Sequence, residues 1–137
     1  MGRLLGIDLG QKRTGIAVTD ELQIIAQPLD TIETKLLFPF LFDYFKKETV
    51  DKVIIGLPYN LDDTPTDNTE RVLKFITRFK RLFPDIPIIE MDETYTSKMA
   101  AQAMYMGGYK KKDRQKKENL DKISAAIILQ DYMASQS

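Results

Sequence analysis

Leu4-Leu-Gly-Ile-Asp-Leu-Gly-Gln-Lys-Arg-Thr-Gly-Ile-Ala-Val-Thr-Asp20 is the stretch on which the reading of the whole chain turns. Leu5, Ile7 and Leu9 alternate with Leu4, Gly6 and Asp8, so both faces are apolar apart from one carboxylate. That pattern predicts a central strand covered on both sides. A second strand follows to Val18, with Gln11 to Thr14 as the turn between them. An ionised Asp in a covered strand is costly unless a metal ion, a basic partner or a hydrogen-bonded turn compensates it. Gly6 and Gly10 beside it leave room for a ligand to approach, which makes Asp8 the first functional candidate.

Working outward, Gln23 to Leu29 reads as a third extended run, with Pro28 pointing to an edge strand. Leu37, Phe40, Leu41, Tyr44 and Phe45 fall at helical spacing, with Pro39 in the first turn and an end near Glu48. Lys52 to Leu57 is a short continuous apolar run closed by Gly56 and Pro58, as in a buried parallel strand. After a polar loop, Asp67 and Glu70 have capping-box spacing. Val72, Phe75, Ile76, Phe79 and Phe83 then form the apolar stripe of a second helix. Its other face carries Arg71, Lys74, Arg78 and Arg81, for which a solvated face is the ordinary reading.

Pro87 to Met91 predicts a fifth strand that runs directly into Asp92-Glu93-Thr94, the strand end where open α/β sheets hold ligands. A short helix over roughly Thr96 to Met106, a charged loop from Tyr109 to Lys117 and a last helix from about Glu118 to Met133 complete the chain. The order is β-β-β-α-β-α-β-α-α. It predicts an α/β domain with a five-stranded mixed sheet, strands one to three antiparallel, strands four and five parallel to strand one, and helices on both faces. That is the element order of a ribonuclease H-like domain, here a single one over residues 1–137.

Composition narrows the chemistry. The chain has 20 basic and 20 acidic residues, so net charge argues neither for nor against nucleic acid. Cys and His are both absent, which removes disulfides, thiolate sites, the commonest general base and the commonest zinc ligand. Catalysis would then rest on carboxylates, Lys, Tyr, Ser or Thr around a hard cation. No apolar run reaches the roughly 20 residues of a membrane span and no signal-peptide pattern opens the chain, so a cytoplasmic protein is expected.

Three acidic positions stand at element ends or in apolar surroundings: Asp8, then Asp92 or Glu93, and Asp121 in the last helix. If the fold brings them to one sheet edge, their mutual repulsion calls for divalent cations. Two such ions about 3.5–4 Å apart suit phosphodiester cleavage, one orienting and acidifying a water, the other stabilising the leaving oxygen. The plainer alternatives are a turn-forming role for Asp8 and an i, i+4 pair with Lys117 for Asp121. Lys12 and Arg13, and the run Lys110, Lys111, Lys112, Arg114, Lys116 and Lys117, are candidate nucleic-acid contacts.

Four motifs, taken in order and spacing, resemble the bacterial YqgF family, also called RuvX-like. They are Gly6-Ile-Asp-Leu-Gly-Gln-Lys-Arg-Thr-Gly-Ile-Ala, Ile55-Gly-Leu-Pro, Asp92-Glu-Thr-Tyr-Thr-Ser, and the Asp-x-x-x-Ala-Ala-x-x-Leu-Gln pattern ending at Gln130. The resemblance implies a ribonuclease H-like fold related to the Holliday-junction resolvases and a role as a nuclease maturing the 5′ end of the small-subunit rRNA precursor. It also implies Asp8, Glu93 and Asp121 as the acidic site holding Mg²⁺ or Mn²⁺. Thr94 stands where the family usually has Arg, and Asp62-Asp63-Thr64 where it usually has Asp-Gly. The partner expected is structured RNA, with branched DNA as the resolvase-like alternative and no membrane. The chain would act as a monomer or, for paired cuts in a junction, as a twofold dimer. Two other classes compete: a nonenzymatic RNA-binding assembly factor using Lys110 to Lys117, and an ATP-binding module, because Asp8 to Gly15 also resembles the phosphate loop of actin-like ATPases. The latter need two such domains, and 137 residues supply one.

Overall fold

The structure, a computed structural model, describes residues 2–59, 65–94 and 117–136, with the side chains of 59, 93, 94 and 117–119 left aside. Five strands form one sheet: β1 (Arg3–Leu9), β2 (Arg13–Thr19), β3 (Ala26–Glu33), β4 (Val50–Tyr59) and β5 (Ile88–Thr94). Their spatial order is β3-β2-β1-β4-β5, with β1–β2 and β2–β3 antiparallel and β1–β4 and β4–β5 parallel. The expected mixed sheet is therefore present, with β1 at its centre.

Helices α1 (Leu37–Lys47) and α2 (Asp67–Leu82) cover one face, and α3 (Lys117–Ser135) covers the other. The alternation along β1 explains the layering. Leu5, Ile7 and Leu9 join Leu37, Leu41, Val72 and Phe79 in one core, while Leu4 joins Ala125, Ala126, Ile128 and Leu129 in the second. Among the described residues no helix is long and apolar enough to cross a membrane. The helix expected over Thr96 to Met106 and the loop over 109–116 lie outside the described residues.

Three boundaries differ from expectation, two of them through side-chain hydrogen bonds that periodicity does not carry and the third through strand pairing. The third strand starts at Ala26, not Gln23, and runs on to Glu33. Asp20 explains the shift: its Oδ1 accepts the backbone N–H groups of Ile24 and Ile25, each at 2.8 Å, while Gln23 adopts φ 58°. A closed turn thus occupies residues that read as strand, leaving Ile24 and Ile25 exposed. The Ile25 and Ile24 amides also hold the Asp20 carboxyl below its usual range, against the smaller opposing effect of desolvation.

The second difference is the cap of α2. Thr66 and Thr69, rather than Asp67 and Glu70, make the capping box: Thr66 Oγ1 accepts the Thr69 N–H at 3.2 Å, and Thr69 Oγ1 accepts the Thr66 N–H at 2.8 Å. The Thr69 hydroxyl in turn donates to the Pro58 carbonyl, tying the helix start to the end of β4. Thr66→Ala is expected to lower stability by about 1 kcal/mol, read as a melting temperature a few degrees lower. An unchanged melting temperature would show that the cap does not bear on stability. The third difference is β5, which extends to Thr94, so Asp92 and Glu93 belong to the strand and do not follow it.

Candidate active site

Asp8 lies one residue from the carboxyl end of β1 and pairs with Gly15 of β2. Gly6, two residues back, faces α3: a Cβ there would stand 2.6 Å from Leu129 Cγ and 2.8 Å from the Ala125 carbonyl oxygen. Strand parity puts Asp8 on that same face. Gly6 therefore serves the packing of α3 on the sheet, and not the approach of a ligand as its sequence position suggested. Gly10 likewise closes the hairpin, since a Cβ there would overlap the Arg13 carbonyl oxygen. Both corrections have one cause: the space a missing Cβ leaves goes to the nearest backbone or helix, which sequence does not name.

Gly15 was not singled out in the sequence, yet it decides where α3 lies. A Cβ at this position would overlap the carbonyl of Asp121, so the helix backbone rests directly on the strand. A glycine inside a strand signals such an approach, though not its partner. Because Gly15 is the cross-strand neighbour of Asp8, the contact sets Asp121 on the same face and at the same level as Asp8. The helix backbone at Asp121 thus rests on the cross-strand neighbour of Asp8, 113 positions away in sequence (121 minus 8), through a position without a side chain.

Arg13 shares the parity of Gly15 and donates from Nε to Asp121 Oδ2 at 3.3 Å. Its side chain is 41 % exposed, so the pair contributes at most about 1 kcal/mol. Its interest is local charge: a guanidinium stands beside a candidate ligand, one turn residue from Lys12. Lys12 itself is exposed, and its carbonyl accepts the Thr34 N–H at 2.9 Å. Thr34 Oγ1 also donates to the Gly10 carbonyl at 2.7 Å and meets Thr14 Oγ1 at 2.9 Å, which pins the turn that carries both cations.

The backbone of Glu93 pairs with Pro58, and position 93 has the parity of Ile89 and Met91, which pack in the α3-side core. Asp92 is exposed and has the parity of Ile88, on the other face. By register, position 93 stands two strands from Asp8 and two residues further toward the carboxyl edge, about 10 Å across and about 7 Å along the sheet. Among the described residues no three Asp or Glu side chains form a metal-holding group. Lys110, Lys111, Lys112, Arg114 and Lys116 lie outside the described residues, and Lys117 is described only as the backbone that opens α3.

Residues 2–135 match the sequence model of a family described as "RuvX: Holliday junction resolvase". The chain belongs to the RuvX family. Relatives of this RuvX chain run its full length. A protein of Flavobacterium psychrophilum named "Putative pre-16S rRNA nuclease" is 54% identical over 133 residues, 97% of each chain. One of the same name from Phocaeicola vulgatus is 47% identical over 136 residues, covering 99% of this chain and 98% of the relative. The structure resembles that of Thermus thermophilus RuvC solved with a Holliday junction substrate, at a TM-score of 0.60 and 13% identity, covering 98% of this chain and 95% of that one. At that identity the likeness concerns the fold, which is ribonuclease H-like.

Proposed function

We propose that this RuvX-family chain is a cytoplasmic, single-domain nuclease that hydrolyses phosphodiester bonds in the 5′-end processing of pre-16S rRNA, with divalent cations held by Asp8, Glu93 and Asp121. The observation that supports the reading is the close approach of the α3 backbone at Asp121 to Gly15, the cross-strand neighbour of Asp8 near the carboxyl end of the central strand. The full-length relatives named for pre-16S rRNA support the substrate.

The donor set fits a hard cation: every candidate ligand is a carboxylate, and the chain holds no His or Cys to favour a softer metal. Bound at these carboxylates, Mg²⁺ or Mn²⁺ supplies an activated water and charge neutralisation on the scissile phosphate. The residues do the rest. In this reading, the seat of α3 on Gly15 of β2 holds the helix backbone at Asp121 across from Asp8. Arg13 offsets the charge of Asp121 and stands within reach of a neighbouring phosphate, and Lys12 adds a second cation on the same turn.

Incubating end-labelled pre-16S leader RNA, single-stranded RNA, duplex DNA and a four-way junction with the protein tests the substrate, in Mg²⁺, in Mn²⁺ and in EDTA. Cutting confined to the leader RNA, requiring the metal and lost in EDTA, is the expected result. The family's description names a Holliday junction resolvase, so symmetric nicks in the junction with the RNA left whole would replace rRNA processing with junction resolution. Binding without cutting of any substrate would replace both with an assembly factor.

A further inference from the structure

On the sheet face opposite α3, the segment Thr34 to Phe38 and helix α2 enclose a groove of about 290 Å³. Its floor includes Leu9 and Phe38, and its rim carries Lys35, Arg71, Lys74 and Arg78. Two of these cations are held in place by neutral partners. Asn68 donates to the Leu9 carbonyl at 2.6 Å and accepts from the Arg71 guanidinium, so Arg71 is anchored to the end of β1. The Arg78 guanidinium lies 4.6 Å from the centre of the Phe38 ring, which itself stacks on Phe75. Lys35 and Lys74 meet Glu33 at 3.3 Å and Glu70 at 3.2 Å, but all four side chains are more than half exposed, so those pairs give way readily to a phosphate. Four cations against two carboxylates leave the groove with a local excess of two positive charges in a chain whose net charge is zero.

The groove lies across the sheet edge from Asp8. Leu9 on its floor follows Asp8 directly in β1, their Cα atoms about 3.8 Å apart, and the two side chains point to opposite faces of the sheet. Only the turn Gly10 to Lys12 separates them, and Thr34 of the groove is bonded to that turn. A strand positioned at Asp8 meets these cations as it passes over the sheet edge. We infer that this groove binds the phosphodiester backbone of the nucleic-acid substrate flanking the scissile bond, with preset Arg71 and Arg78 as its principal phosphate contacts. Planar, anchored guanidinium groups suit phosphate oxygens better than mobile ammonium groups do. The inference rests on the nuclease reading and adds to it the path of the substrate beyond the carboxylates.

The test is fluorescence anisotropy of labelled pre-16S leader RNA in EDTA, over a series of salt concentrations. It compares the unsubstituted protein, Arg71→Gln/Arg78→Gln, Lys35→Gln/Lys74→Gln, and Lys46→Gln/Lys47→Gln as a control of equal charge change. Lys46 and Lys47 sit at the far end of α1, about 12 Å along the helix from Phe38. The arginine pair is expected to weaken binding about tenfold and to shallow the log–log salt slope by about 1.5, with the control pair unchanged. The lysine pair, on exposed side chains that no packing depends on, is expected to weaken binding in the same direction and serves if the arginine pair lowers the melting temperature. Equal weakening by the control pair, or full binding by both groove pairs, overturns the groove while leaving the nuclease reading standing if the protein still cuts RNA. A protein that neither binds nor cuts RNA overturns both.

Discussion

Asp8→Asn is expected to lower metal-dependent cleavage by about 10³-fold or more while leaving the melting temperature nearly unchanged. The substitution keeps the shape of the side chain, so the β1–β2 pairing of position 8 with Gly15 is undisturbed. What changes is charge: a carboxylate that could bridge hard cations becomes an amide whose nitrogen can only donate. Loss of one ligand from such a site removes several kcal/mol of transition-state stabilisation, and about 4 kcal/mol corresponds to that factor. Stability is expected to change little, because the amide keeps the size and shape of the carboxylate it replaces. Cleavage within about tenfold of the unsubstituted protein, with the same metal dependence, would remove Asp8 from the mechanism. Measuring Mn²⁺ affinity alongside separates a lost ligand from a lost fold.

Gly15→Ala is expected to be the most damaging substitution of a single methyl group, destabilising by about 3 kcal/mol or more. The argument is steric and does not involve backbone strain, since none of the glycines with described geometry has a positive φ. An added Cβ would coincide with the Asp121 carbonyl and crowd the Lys122 nitrogen, both of them backbone atoms that no rotamer change can move. Helix α3 must then lift from β2, and the core it seals, with Ala125, Ile128 and Leu129 all nearly inaccessible, must open with it. Overpacking against side chains costs about 1–3 kcal/mol, and a rigid helix backbone places this case at or above the top of that range. A fall in melting temperature of about 10 °C would follow, together with loss of activity as the helix carrying Asp121 lifts from β2. A variant melting within about two degrees of the parent would show that α3 is not set by this contact.

The two substitutions mark where local pattern ends. Alternating and continuous apolar runs placed β1, β2 and β4 in the sheet, and the 3.6-residue stripe from Val72 to Phe79 placed α2, because burial on one or both faces is written in the order of side chains along each element. Asp8 could be singled out for the same reason: a lone carboxylate breaks an otherwise apolar strand. Boundaries held by particular side chains were not readable in that way, as Asp20 closing the turn before β3 and Thr66 capping α2 both illustrate.

What the sequence by itself determined is the order of the strands and helices among the described residues, the carboxylates on offer and the absence of any softer metal ligand. Tertiary structure alone decided which of those groups meet. The Arg13–Asp121 pair spans 108 residues, and the seat of the Asp121 backbone on the strand neighbour of Asp8 depends on α3 settling against a glycine of β2, an event that neither segment's periodicity encodes. The same holds for the groove, where one face of α2 read as solvated in sequence meets Phe38 and the end of β1 in space. The physical reason is common to all three. Hydrophobic patterning records whether a residue is buried, whereas an ion pair or a close backbone approach depends on which distant segment comes to cover it.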